Sequence, residues 1–164
     1  MVELRKNELT ITNGLEHYLS TPTRECKVIR QNQTANTPAY PYVTYSIPTP
    51  IAQVGGTYSE ADDGTQYRTI QQTWSFTVQS DDQDEALRLA IRIHSFFTSA
   101  GTVYLADKDI SVYRVGGIAT RDTLLSIEYE HRNGLDVTFG LLDKIEPDEF
   151  FSAGTIDQIT FKEV

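Results

Sequence analysis

The segment that most constrains this chain runs from Tyr67 to Ser99, YRTIQQTWSFTVQSDDQDEALRLAIRIHSFFTS, where a long alternating stretch passes directly into a helical one. In the first half Ile70, Trp74, Phe76 and Val78 fall on one side and Thr69, Gln71, Thr73, Ser75, Thr77 and Gln79 on the other. That period of two is what a strand with one buried face requires. Ser80 with Gln83 three residues later has the spacing of a capping box, and Asp81, Asp82, Asp84 and Glu85 put negative charge where a helix dipole is positive. The spacing predicts a long helix over residues 81–99. Leu87, Ala90, Ile91, His94 and Phe97 form one apolar stripe on it, and Leu89, Ile93 and Phe96 form a second beside the first. Glu85, Arg88, Arg92 and Ser95 hold the polar side. An apolar arc of roughly 200° is wider than a helix lying on one sheet needs. Either another part of this chain or a neighbouring subunit must cover the second stripe. On the second reading, Leu89, Ile93 and Phe96, flanked by Arg88 and Arg92, are a subunit interface.

At 164 residues the chain has room for one full core, so a single domain over 1–164 is expected. No apolar run approaches the roughly 18 residues of a membrane span, and the opening MVELRKNELT is charged where a signal peptide needs an apolar stretch. The expectation is a protein that meets no membrane and stays where it is made. The lone cysteine, Cys26, has no partner for an internal disulfide or a thiolate metal site. A formal net charge of −9, with scattered basic residues, argues against a surface that grips duplex DNA by releasing counterions.

Along the chain, Leu9, Leu15, Tyr18 and Leu19 fit a helical face between residues 3 and 19, and Pro22 blocks its continuation. Residues 25–31 read as a strand with Cys26, Val28 and Arg30 on one face; residues 42–47 read as another, with Pro48 and Pro50 marking its end or an edge. Residues 50–66, with Gly55, Gly56, Tyr58, Asp62, Asp63 and Gly64, are a protruding loop or hairpin arm, and a stretch that long without periodicity usually has a job. Gly101 is placed to end the long helix, with short strands following near 103–106 and 110–115. A β-hairpin is expected over 124–142, because LLSIEYEH and LDVTFGLL alternate on either side of Asn133-Gly134. After Pro147 comes a short strand-like run at 156–161, and Phe150 and Phe151 need cover. The fold class that results is α+β: a mixed, largely antiparallel sheet with the long helix and an N-terminal helix packed on it.

Residues for chemistry do not assemble. His17, His94 and His131 have no metal-ligand spacing, and Glu128 and Glu130 beside Arg132 read as a salt-bridge row because no nucleophile or third ligand joins them. The run Asp81-Asp82-Gln83-Asp84-Glu85 lacks the central glycine and distal glutamate of a calcium loop. No phosphate-binding, dinucleotide-binding or nucleophile-elbow glycine motif is present. The expectation is a protein that is not an enzyme, with no metal and no cofactor.

Four stretches together carry a resemblance: the charged opening ahead of Gly14, KVIRQNQTANTPAYPYVTYSIPTP at 27–50, QQTWSFTVQSDDQDEALRLAIRIHSFF at 71–97, and GGIATRDTLLSIEYEHRNGLDVTF at 116–139. The sharper elements are Arg30-x-Asn32-Gln33 ahead of Pro41-Tyr42-Val43-Thr44-Tyr45, and Glu128-Tyr129-Glu130-x-Arg132-x-Gly134-x-Asp136. The chain resembles the neck or tail terminator family of tailed bacteriophages and prophages over most of its length. The resemblance implies an α+β fold and a ring, usually of six subunits, at the head-proximal end of the tail. Such a ring stops tail-tube polymerisation and joins tail to head. The implied partners are further copies of the chain, the tail tube protein and a head-completion or connector protein, in a virion assembled in the host bacterial cytoplasm. DNA would pass through the lumen without specific binding, which the acidic balance suits. The family brings no catalytic residues. In that setting the second helix stripe gains a partner, and Gly55, Gly56, Tyr58, Asp62 and Asp63 would reach a neighbour, a tube subunit or the channel. The alternatives are another connector or tube subunit of the same particle, or a small ligand-binding domain or hydrolase, which would need a polar pocket these residues do not build.

Overall fold

The computed structural model describes residues 4–32, 36–55, 58–122 and 130–147. Its spine is the alternating segment found in the sequence, which forms strand β4 (Gln66–Ser80). It pairs antiparallel with β7 (His131–Ile145) along its whole length, from Gln66↔Ile145 to Ser80↔His131. Around this pair lie β1 (Lys27–Arg30), β2 (Tyr42–Gln53) and β5 (Ile110–Val115), in the order β1-β2-β4-β7-β5. The short strands β3 (Ser59–Glu60) and β6 (Ala119–Thr120) add to β4 and β7. Among the described strands only β1 and β2 run parallel, so the sheet is mixed, and it stays open. With its helical layer the chain is α+β.

The N-terminal helix is α1 (Leu4–Leu19), and the helical run expected over 81–99 begins as α2 (Gln83–Ser95). A π-helical turn over Phe96–Ala100 leads from α2 into α3 (Thr102–Ala106). The inward faces of these helices and the apolar face of the sheet share one core, in which Ile11, Leu15, Val43, Ile70, Trp74, Phe76, Ile93, Phe97 and Phe139 are almost completely buried. Its centre is aromatic, with Phe97 5.1 Å from Phe76 and edge-on to Phe139 at 5.4 Å, geometries that rings prefer over a face-to-face sandwich.

Several sequence expectations change here, each for a local reason. The cap of α2 is Asp82 rather than Ser80: Asp82 Oδ1 accepts from Glu85 N at 2.9 Å. Ser80 orders the approach by donating to Glu85 Oε2 at 2.8 Å while accepting from Asp82 N at 3.1 Å. Gly101 does not end the helical run. Its N–H donates to Phe96 O at 2.7 Å, closing the wide turn, and a Cβ there would sit 2.5 Å from the Phe96 ring. Residues 103–106 therefore continue as helix, with Leu105 buried, instead of forming a strand.

The faces of α2 are also rotated from the expected ones. Leu89, Ile93 and Phe96 are core residues, whereas Leu87 and Ile91, assigned to the main stripe, are 44% and 49% exposed. The cover that the sequence left open is α1: Tyr18 packs on Phe96 with ring centroids 5.3 Å apart, and Arg92 donates to the carbonyls of Leu19, at 3.1 Å, and Tyr18.

The expected turn at Asn133-Gly134 is absent. Both residues lie inside β7, paired with Val78 and Thr77. Gly134 is demanded by packing, since a Cβ would fall 2.5 Å from Phe76 O and 2.8 Å from Arg121 Nε. Residues 124–129 of the expected first hairpin strand lie outside the described residues. The segment preceding them, β6 and Arg121, pairs against residues 132–134, with Arg121 N donating to Arg132 O at 2.8 Å. Pro48 and Pro50 do not end β2, which runs on to Gln53 through two register shifts. β1 pairs only with Tyr42–Tyr45, and both prolines fall within the register shifts against β4, between Ser46 and Thr49 and between Thr49 and Ala52, where a strand tolerates proline. The expected run at 156–161, with Phe150 and Phe151, lies outside the described residues.

Candidate functional site

The expected arm is a β-hairpin extension of the sheet, made from the end of β2, β3 and the start of β4. Its tip is a tight turn: Gly64 takes φ +80°, its N–H donates to Ala61 O, and Ala61 N donates to Thr65 O, both at 2.9 Å. Asp63 Oδ1 accepts from Thr65 N at 2.9 Å, and that bond holds the Asp63 carboxyl below the usual carboxylate range. Gly55, with φ +76°, supplies the bend after β2. Ile51, Val54 and Tyr58 stand 50%, 41% and 57% exposed, and Asp62 and Asp63 are exposed as well. Gly56 lies outside the described residues.

A clamp marks the base of the arm. Next outward from Ile70 and Leu141 on the helix-bearing face come Arg68 and Asp143, opposite each other across β4 and β7. Arg68 Nε donates to Asp143 Oδ2 at 2.9 Å, and the Asp143 side chain is only 4% exposed. The apolar stripe thus gives way to an ion pair with a buried carboxylate and a half-buried guanidinium where the arm begins. Sequence reasoning missed this pair because its members lie 75 residues apart.

The expected interface residues separate in the structure. Leu89, Ile93 and Phe96 are committed to the core, Arg92 is committed to the C-terminal carbonyls of α1, and Arg88 is exposed. What α2 presents outward is Leu87, Ile91 and Arg88.

The sheet face turned away from the helices is a field of small polar side chains, among them Thr44, Ser75, Thr77 and Thr138. Arg121 lies across it, donating to Ser75 Oγ at 2.6 Å, Thr77 Oγ1 at 3.0 Å and Asp136 Oδ1 at 2.8 Å. Burial alone would raise the Asp136 carboxyl, but the hydrogen bonds with Ser75 and Arg121 outweigh it and hold it low.

Nothing among the described residues assembles a catalytic constellation. Burial pushes the Cys26 thiol up to about 11, so it stays protonated at neutral pH. Burial and the Glu8 carboxylate, which accepts from its hydroxyl at 2.5 Å, raise Tyr45. Glu130 is paired with Arg132 at 2.9 Å, as the salt-bridge reading had it; Glu128 lies outside the described residues. Among the described residues no group of three His, Cys, Asp or Glu side chains converges to hold a metal, and no helix is long and apolar enough to cross a membrane. A groove between the start of α1 and the end of β7 mixes Lys6, Lys108 and Lys144 with Asp107, Asp109 and Glu146 and holds no nucleophile and base pair.

A family model described as phage neck terminator protein matches residues 9–163, almost the whole chain. No curated protein matches it.

Proposed function

The chain belongs to the phage neck terminator proteins, components of the head–tail region of the phage particle, and from that membership we propose that it forms a ring closing the head-proximal end of the tail tube. The ring, of six copies, stops tube polymerisation and offers its other face to a head-completion or connector protein. The observation that carries the reading is the match over residues 9–163, which takes in the arm, the sheet and the helical layer alike. The surfaces support it. Exposed apolar side chains stand on the arm and on the outward face of α2, and a chain that folds around a closed core leaves such groups out where another subunit can cover them. A ring of six would carry six times the formal charge of −9, which suits a channel that DNA slides through without sticking. The role is structural: no reaction and no metal enters it.

Native mass spectrometry of the purified chain, alone and mixed with tail tubes, tests this. A closed ring in either sample is the expected result. A monomer in both overturns the proposal.

A further inference from the structure

Two exposed surfaces of unlike elements match in chemistry. On α2, Leu87 and Ile91 lie four residues apart, one above the other, and are 44% and 49% exposed. Arg88 beside them is exposed and, apart from its charge acting on Asp82, joins no hydrogen bond or close ion pair among the described residues. The arm offers the complement. Tyr58 and Val54 are exposed apolar groups, Glu60 and Asp62 are exposed acids, and no Lys, Arg or His occurs between Arg30 and Arg68. Asp63 is already committed to the turn through Thr65.

These surfaces do not face each other within one protomer. Helix α2 begins beside the Ser80 end of β4 and turns Leu87 and Ile91 away from the sheet, whereas the arm leaves the Gln66 end, roughly 45 Å of extended strand away. We propose that the arm of one copy packs across Leu87 and Ile91 on α2 of the next copy, with Glu60 and Asp62 facing Arg88. Such a contact joins two different patches, so it is heterologous, the kind of interface that generates a ring when the rotation between copies closes. The apolar groups supply affinity, and the charges set the register. This inference rests on the ring reading above and names the surfaces that close it.

The test uses the full chain in sedimentation and native mass spectrometry. Ile91→Asp is expected to raise the concentration needed for assembly by about tenfold or more, since it leaves a charge in an apolar contact. Ile91 is half exposed, so the variant should melt like the wild type. Arg88→Glu is expected to weaken assembly, and adding Glu60→Arg with Asp62→Arg to that variant is expected to restore it. A wild-type ring unaffected by Ile91→Asp and by Arg88→Glu overturns this contact and leaves the ring standing. Failure of the reversed charges to rescue overturns the pairing of Arg88 with the arm. A wild type that stays monomeric with and without tail tubes overturns the ring and this contact together.

Discussion

At the scale of single residues, the polar groups drawn into the interior decide more than the apolar ones. Gln72 lies on the same face of β4 as Trp74 and is as completely buried, and its Oε1 accepts from the Trp74 indole N–H at 3.0 Å. A buried indole needs such an acceptor, which explains a glutamine amid apolar side chains. Arg68 and Asp143 present the harder problem. A carboxylate this deep is tolerable only while its cation stays, because removing one partner of a buried pair costs far more than replacing both. Arg68→Met is therefore expected to destabilise the protein by about 3 kcal/mol, and Arg68→Met with Asp143→Leu to recover most of that loss. Urea unfolding followed by the fluorescence of Trp74, the sole tryptophan, measures both. A single variant as stable as the wild type would show that the pair contributes nothing to holding the base of the arm.

At the scale of elements, the start of α2 ties sequence to stability most directly. The hydrogen bond from Glu85 N holds the Asp82 carboxyl below its ordinary value of 3.8. A carboxylate depressed in the folded state stabilises fully above its unfolded value, and the contribution fades as pH falls through the folded one. Asn caps a helix about as well as Asp but does not titrate. Asp82→Asn should thus match the wild type near neutrality and lose melting temperature less steeply below about pH 4. Parallel melting curves down the acid range would assign the capping energy to something other than the charged carboxylate. The same region shows what could be read in advance. Strand β4 and the existence of α2 were legible because periodicity is a local property: Ile70, Trp74, Phe76 and Val78 need only their own spacing, whereas the expected face of α1 included Leu9, which is exposed, and left out Ile11, which is buried. Which arc of α2 faces inward was not legible, since it depends on α1 lying beside Phe96 and on Arg92 reaching the Tyr18 and Leu19 carbonyls. Asn133-Gly134 misled for a related reason. Glycine serves turns through its φ freedom and close packing through its missing Cβ, and only the approach of Arg121 and Phe76 shows which applies. The ion pair at the base of the 50–66 segment was not legible, because it needs the register of β4 against β7.

At the scale of the whole molecule, the arm and the helical layer are separable in energy. The core is built from the apolar face of the sheet and the helices, and Ile51, Val54, Tyr58 and the residues around the Ala61–Gly64 turn contribute almost no buried side chain to it. The backbone at Gly55 and Gly64 takes positive φ, so ordering this extension costs conformational entropy that few internal contacts offset. A partner surface is the natural source of the missing contacts, because binding can supply the buried area that folding alone does not. Replacing residues 55–64 by a short Gly-Ser link is therefore expected to leave a cooperatively folded protein whose melting transition stays close to that of the wild type. The loss should appear in assembly. In particles carrying the shortened chain, electron micrographs should show overlong tubes or tails without heads, the failures expected when a tube end is left uncapped or undocked. Hydrogen exchange gives an independent reading: amides of 58–64 should exchange fast in the isolated chain and slow markedly in the assembled neck. Normal headed tails from the shortened chain, or strong protection of those amides already in the monomer, would show that the arm belongs to the fold and not to the assembly.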